Sequence, residues 1–70
     1  MRLTLRKKFG NRVAELRRAA KISQEGLADL CGFARSYMSR IERGKANPSL
    51  DAIETLAGGL KVSVVELFME

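Results

Sequence analysis

The sequence predicts an all-α protein, a compact bundle of five helices forming one domain over residues 1–70. Three observations lead there. Apolar residues recur every three or four positions through most of the chain, the breaks between those stretches fall at Ser, Gly or Pro, and nowhere do apolar and polar residues alternate as in a half-buried strand. A chain of 70 residues has no room for a second core, because at this length only about 60% of the unfolded surface is buried on folding.

The first helix is expected from about Leu5 to Ala20, where Phe9, Val13, Leu16 and Ala20 make one apolar stripe and Arg6, Lys7, Arg12, Arg17 and Arg18 lie largely off it. Ser23 stands where an N-cap belongs, and Leu27, Leu30 and Cys31 give the two-turn second helix its apolar face. Gly32 then suits a tight reversal, because only glycine takes a positive φ at little cost, with Phe33 tucked in beside it. Met38 and Ile41, with Tyr37 beside them, anchor a third helix that ends near Arg43, at Gly44. The segment from Gly44 to Pro48 reads as a loop, and Ser49 opens a fourth helix carrying Leu50, Ile53, Leu56, Ala57 and Leu60. Gly58 and Gly59 should weaken its last turn by about 1 kcal/mol each. Ser63-Val-Val-Glu66 has the form of a capping box and opens a short fifth helix with Val64, Val65, Leu67 and Phe68.

An apolar fraction of 46% and a charged fraction of 30% place the chain among folded soluble proteins rather than disordered ones. The single cysteine, Cys31, excludes an internal disulfide, and the absence of histidine removes the usual zinc-ligand spacings and histidine acid-base chemistry. No phosphate-cradling glycine loop and no cluster of carboxylates appears, so neither an enzyme nor a metal or cofactor site is expected. The apolar stretches are too short to span a bilayer and the N-terminus lacks a leader-like apolar core, which together with the free thiol predicts a cytoplasmic protein.

The net charge of +5 is unevenly spread, with +7 over residues 1–21, +1 over 22–48 and −3 over 49–70. This polarity suits a basic face for a polyanion and a far end free to meet something else. On charge alone, a solvated helix surface accounts equally well for the basic segment.

From Gln24 to Arg43 the residues resemble the helix-turn-helix of the phage-repressor-like, or lambda-repressor-like, transcriptional regulators. Ala28 takes the motif's small position, Gly32 its turn glycine, and Met38 and Ile41 its two apolar anchors. Leu16-Arg17-Arg18, Ile41-Glu42-Arg43-Gly44-Lys45 and Asn47-Pro48-Ser49-Leu50 extend the likeness over nearly the whole chain, and the small size is similar to that of the controller proteins of restriction-modification systems. Gly26 departs from the pattern where a glutamate would complete a capping box with Ser23.

The resemblance implies sequence-specific binding of double-stranded DNA, with the third helix in the major groove. Arg35, Ser36 and Arg40 would face bases, with Tyr37 and Ser39 at the margin; arginine matches guanine O6 and N7, although contact with phosphates alone stays an open reading. Ser23 and Gln24 would hold one phosphate at a helix N-terminus. Arg43, Lys45 and Asn47 would clamp another, while Arg12 or Arg18 adds long-range attraction. Arg17 and Glu42 match a largely buried ion pair linking the first helix to the end of the third.

One recognition helix covers few base pairs, so a homodimer on a palindromic operator is expected. Leu60, Val62, Val64, Val65, Leu67 and Phe68 exceed what so short a terminal helix needs for its own core, and are the candidate dimer interface. Glu25 and Asp29 are placed to touch RNA polymerase if the protein activates transcription. The rival reading is a protein-interaction or antitoxin-like module on the same fold.

Overall fold

The computed structural model describes residues 3–69. Four α-helices, α1 Leu5–Ala19, α2 Gln24–Cys31, α3 Arg35–Glu42 and α4 Leu50–Leu60, are followed by one 3-10 helix, Val64–Phe68. The expected fifth helix is therefore a tight 3-10 turn rather than an α-helix. Glu66 does fold back as a capping box would, its carboxylate accepting the Ser63 N–H at 2.9 Å, but five residues are too few to need a second turn. No strand occurs among the described residues.

Three helices begin on a side chain that accepts an otherwise orphan N–H. Thr4 Oγ1 takes the Lys7 N–H, Ser23 Oγ that of Gly26 and Ser49 Oγ that of Ala52. Ser23 thus caps α2 without the glutamate that Gly26 replaces. The four α-helices all end alike, in paired 6→1 and 5→2 hydrogen bonds. The 6→1 donors are the N–H groups of Ile22, Phe33, Lys45 and Val62, reaching Arg17, Ala28, Arg40 and Ala57. At each end the preceding residue, Lys21, Gly32, Gly44 or Lys61, has φ between 58° and 72°.

Phe9, Val13, Leu27, Met38, Ile41, Leu56 and Leu67 fill the core, each at most 4% exposed. Leu16, Cys31, Phe33, Tyr37 and Ile53 pack against it from partly buried positions. Three stripe members fall outside. Ala20 lies past the last turn of α1 and is exposed; Leu30, on the outer side of α2, is 63% exposed; and Leu50, the first residue of α4, is 84% exposed.

Close helix crossings depend on glycine. A Cβ on Gly10 would sit 2.3 Å from the Ile41 carbonyl oxygen and 2.8 Å from that of Glu42, so α1 touches the backbone of α3. Gly59, which as a helix residue looked only like a weakness, meets the Cys31 sulfur and Leu27 where α4 crosses α2.

One buried polar cluster fixes the end of α3. Arg17 Nε donates to Glu42 Oε2 at 2.7 Å and its second amino group to Oε1 at 3.1 Å, with side-chain exposures of 12% and 6%. Arg17 also donates to the Ile22 carbonyl at 2.9 Å, and Gln24 Nε2 donates to Glu42 Oε1 at 3.2 Å. The Glu42 carboxylate therefore joins α1, α2 and α3.

Three stability changes follow, each measurable by urea unfolding. Gly10→Ala forces a backbone clash and should cost about 3 kcal/mol or more. Gly32→Ala meets nothing within 4 Å, so only the left-handed φ counts and the loss should be about 1 kcal/mol. Arg17→Met strands a buried carboxylate and should cost about 3–5 kcal/mol, most of it recovered when Glu42→Met is added; an unchanged midpoint for Arg17→Met would show that the pair does not hold α3.

Candidate nucleic-acid interface

The helix pair α2–α3 is joined through Gly32, whose φ of 71° reverses the chain, and Phe33, which drops onto the core. Alanine at position 28 is 1% exposed, small enough for the two helices to meet. Met38, Ile41 and Glu42 bury the inner face of α3. Arg35, Ser36 and Arg40 are left on the outer face, all exposed, while Tyr37 and Ser39 are half-buried.

The outer face has internal order of its own. Phe33 and Tyr37 stack edge to face with centroids 5.1 Å apart, and the Arg40 guanidinium lies 5.6 Å over the Tyr37 ring. Tyr37 and Arg40, three positions apart, meet on one face of α3, so their spacing carries this signal, and Phe33 joins them from just before the Ala34 N-cap. At the other end Arg43 Nε donates to Ser39 Oγ at 3.3 Å. Arg35 has no charged or hydrogen-bonded partner among the described residues.

The expected phosphate contacts divide into two groups. Ser23 and Gln24 lie at the start of α2, where free N–H groups and the helix dipole favour an anion. Both side chains are engaged within the protein, Ser23 on the Gly26 N–H and Gln24 on Glu42. Arg43, Lys45 and Asn47 are exposed after α3, on a loop pinned by buried Ala46. Arg12 is turned elsewhere: it donates to the Glu66 carbonyl at 2.7 Å and pairs with Glu15, tying the 3-10 helix to α1.

The candidate dimer residues also divide. Leu60 and Leu67, 7% and 0% exposed, belong to the protein's own core and are corrected out of the interface; Val62 is half-buried against that core. Val64, Val65 and Phe68 remain 43%, 70% and 45% exposed, Phe68 with one face stacked on Phe9 at 5.1 Å. The 3-10 helix turns too tightly to bury all its apolar residues on one side.

No group of three or more metal-ligating side chains occurs among the described residues, and no helix there is long and apolar enough to cross a membrane. Burial pushes the Cys31 thiol up, which keeps it protonated and a poor nucleophile at neutral pH.

This arrangement has close counterparts. Residues 8–67 match the sequence model of a helix-turn-helix domain. Control protein C.BamHI of Bacillus amyloliquefaciens is 43% identical over 60 residues, 84% of this chain and 74% of its own. The immunity repressor protein of Bacillus phage phi105 is 40% identical over 55 residues, 79% of this chain but 38% of its own. Among solved structures, the restriction-modification controller protein C.AhdI from Aeromonas hydrophila superposes with a TM-score of 0.88 at 49% identity, covering 90% of this chain and 96% of its own. The controller protein C.Esp1396I, solved as a tetramer in complex with its natural 35 base-pair operator, superposes with a TM-score of 0.85 at 31% identity, covering 96% and 88%. With the domain matched over residues 8–67 and α2, Gly32 and α3 in place, the chain belongs to the helix-turn-helix family of DNA-binding transcriptional regulators.

Proposed function

We propose that the protein is a sequence-specific regulator that binds a palindromic operator in double-stranded DNA as a homodimer, with α3 in the major groove. The observation that carries this is the division of α3 into a buried anchoring face, Met38, Ile41 and Glu42, and an exposed face bearing Arg35, Ser36 and Arg40. Both arginines suit guanine O6 and N7, and Tyr37 and Ser39 flank them against base or phosphate. Ser23 and Gln24 on one side, and Arg43, Lys45 and Asn47 on the other, serve the backbone and set the register.

An eight-residue helix is about 12 Å long and spans few base pairs, so two copies are needed for a useful site. Val64, Val65 and Phe68, with the rim of Val62, supply the self-association surface at the acidic end of the chain. The tetramer of C.Esp1396I on its operator supports assembly on DNA in a relative of this size. If transcription is activated, Glu25 and Asp29, exposed on α2, are the acidic residues offered to RNA polymerase.

Selection from a random double-stranded DNA pool should return an inverted repeat with half-site centres about 10 base pairs apart or a multiple of that. Arg35→Ala should lose about 1–3 kcal/mol in each half of the selected site and relax one position there. Recovery of no shared sequence would overturn the proposal.

A further inference from the structure

Between α1 and α3 lies an open groove of about 670 Å³ lined by Lys7, Asn11, Arg18, Gln24, Ser39 and Arg43 together with the Arg17–Glu42 pair. Its charge is not balanced from within. Glu42 is neutralised by Arg17, and Glu15, at the edge, pairs with Arg12. Lys7, Arg18 and Arg43 are left as three cations around one groove, and the side chains of Lys7 and Arg18 have no acidic or hydrogen-bonded partner among the described residues.

The position of the groove says which anion fits. One end is Gln24, at the N-terminus of α2. At the other end the start of α1 is pressed against the turn after α3, where a Cβ on Gly44 would fall 2.9 Å from Lys7 Cα. The groove therefore connects the two places already assigned to DNA phosphates, and Asn11 and Ser39 add hydrogen-bonding groups along it. No aromatic ring among the described residues lines the groove for a base to stack on, and its unbalanced cations match phosphate oxygens.

We propose that the α1–α3 groove carries the DNA backbone between those two places, with Lys7 and Arg18 of α1, and Asn11 between them, holding phosphate that flanks the bases read by α3. This rests on the DNA-binding reading above. It extends the footprint to a helix that the helix-turn-helix itself does not include, and it contributes affinity without sequence preference.

The test compares Lys7→Gln with Arg18→Gln, singly and together, and uses Lys61→Gln as a control that removes the same charge at the far end of α4. Glutamine keeps the side-chain stem, and unchanged unfolding midpoints verify the fold. On the selected operator the slope of log affinity against log salt should become shallower by about 1.8 for each groove residue substituted, about 0.9 for each copy in the homodimer, with the selected sequence unaltered. A loss in the groove variants no larger than in Lys61→Gln would overturn the proposal.

A second readout stands apart from operator binding, so that failure of the sequence-specific reading is not mistaken for failure of the groove. The Asn11 side-chain amide resonance should move when a random-sequence duplex is added at low salt, and should move less in the double variant. An unmoved resonance overturns the groove site even if the operator binds, and movement with pyrophosphate but not with duplex reassigns it to a small free anion.

Discussion

The Glu42 carboxylate, buried at the end of α3 and accepting hydrogen bonds from Arg17 and Gln24, is the constraint on which the presentation of α3 depends. An eight-residue helix has too little internal cooperativity to hold itself in water, and α3 starts on Ala34 with no side-chain cap. Its direction must therefore come from its ends and its inner face. Gly32 sets one end, Glu42 the other, and Met38 and Ile41 fill the space between. A buried ion pair adds little net stability compared with apolar residues of the same shape. What it adds here is direction, because a bidentate arginine–carboxylate contact tolerates little rotation, and Arg17 is itself held by the Ile22 carbonyl.

The remaining architecture shows how a short chain closes a core around that pair. With few large side chains to spend on separation, the helices approach to backbone contact, at Gly10 against α3 and at Gly59 against α2. The same economy appears where the helices stop, since paired end hydrogen bonds reverse the chain at once and keep the connections brief. Lys21 and Lys61 accept a left-handed φ for this purpose, a conformation unfavourable by about 1–2 kcal/mol for a residue with a side chain. Close packing of α1 on α3 also brings Lys7 and Arg18 of the basic segment beside Ser39 and Arg43 at the C-terminal end of α3.

Much of this was legible beforehand, and the exceptions have physical causes. The helix limits could be read because Ser23, Gly32, Pro48 and Ser49 act locally, within the reach of one turn. Exposure could not, because a period of three or four marks a face but does not say how far the partner helix extends, so Leu30 and Leu50 were counted with the core and lie outside it. The terminal apolar run was ambiguous for a related reason: a core and an interface use the same residues, and only the tight winding of the 3-10 helix separates Leu67 from Val64, Val65 and Phe68. Gly10 gave no warning, since a glycine inside a helix looks like a simple loss until the crossing helix is seen. The place of Gln24 in the Glu42 cluster was hidden as well, because it joins residues 18 apart in sequence.

The two arginines of the proposed recognition face are not equivalent, and the difference bears on the specificity proposed for it. Immobilising a free arginine on a base sacrifices up to about 1.5–2 kcal/mol of rotamer freedom, comparable with the 1–3 kcal/mol of discrimination that a bidentate guanine contact provides. Arg35, with no partner among the described residues, meets that loss in full. Arg40 is already held over Tyr37, which leans on Phe33; an exposed stack of this kind is worth only about 0.5–1 kcal/mol, enough to bias the guanidinium without trapping it. In the proposed complex Arg40 thus reads from a prepared position and Arg35 adapts to what it finds. On that proposal the aromatic pair at the helix turn serves recognition as well as packing.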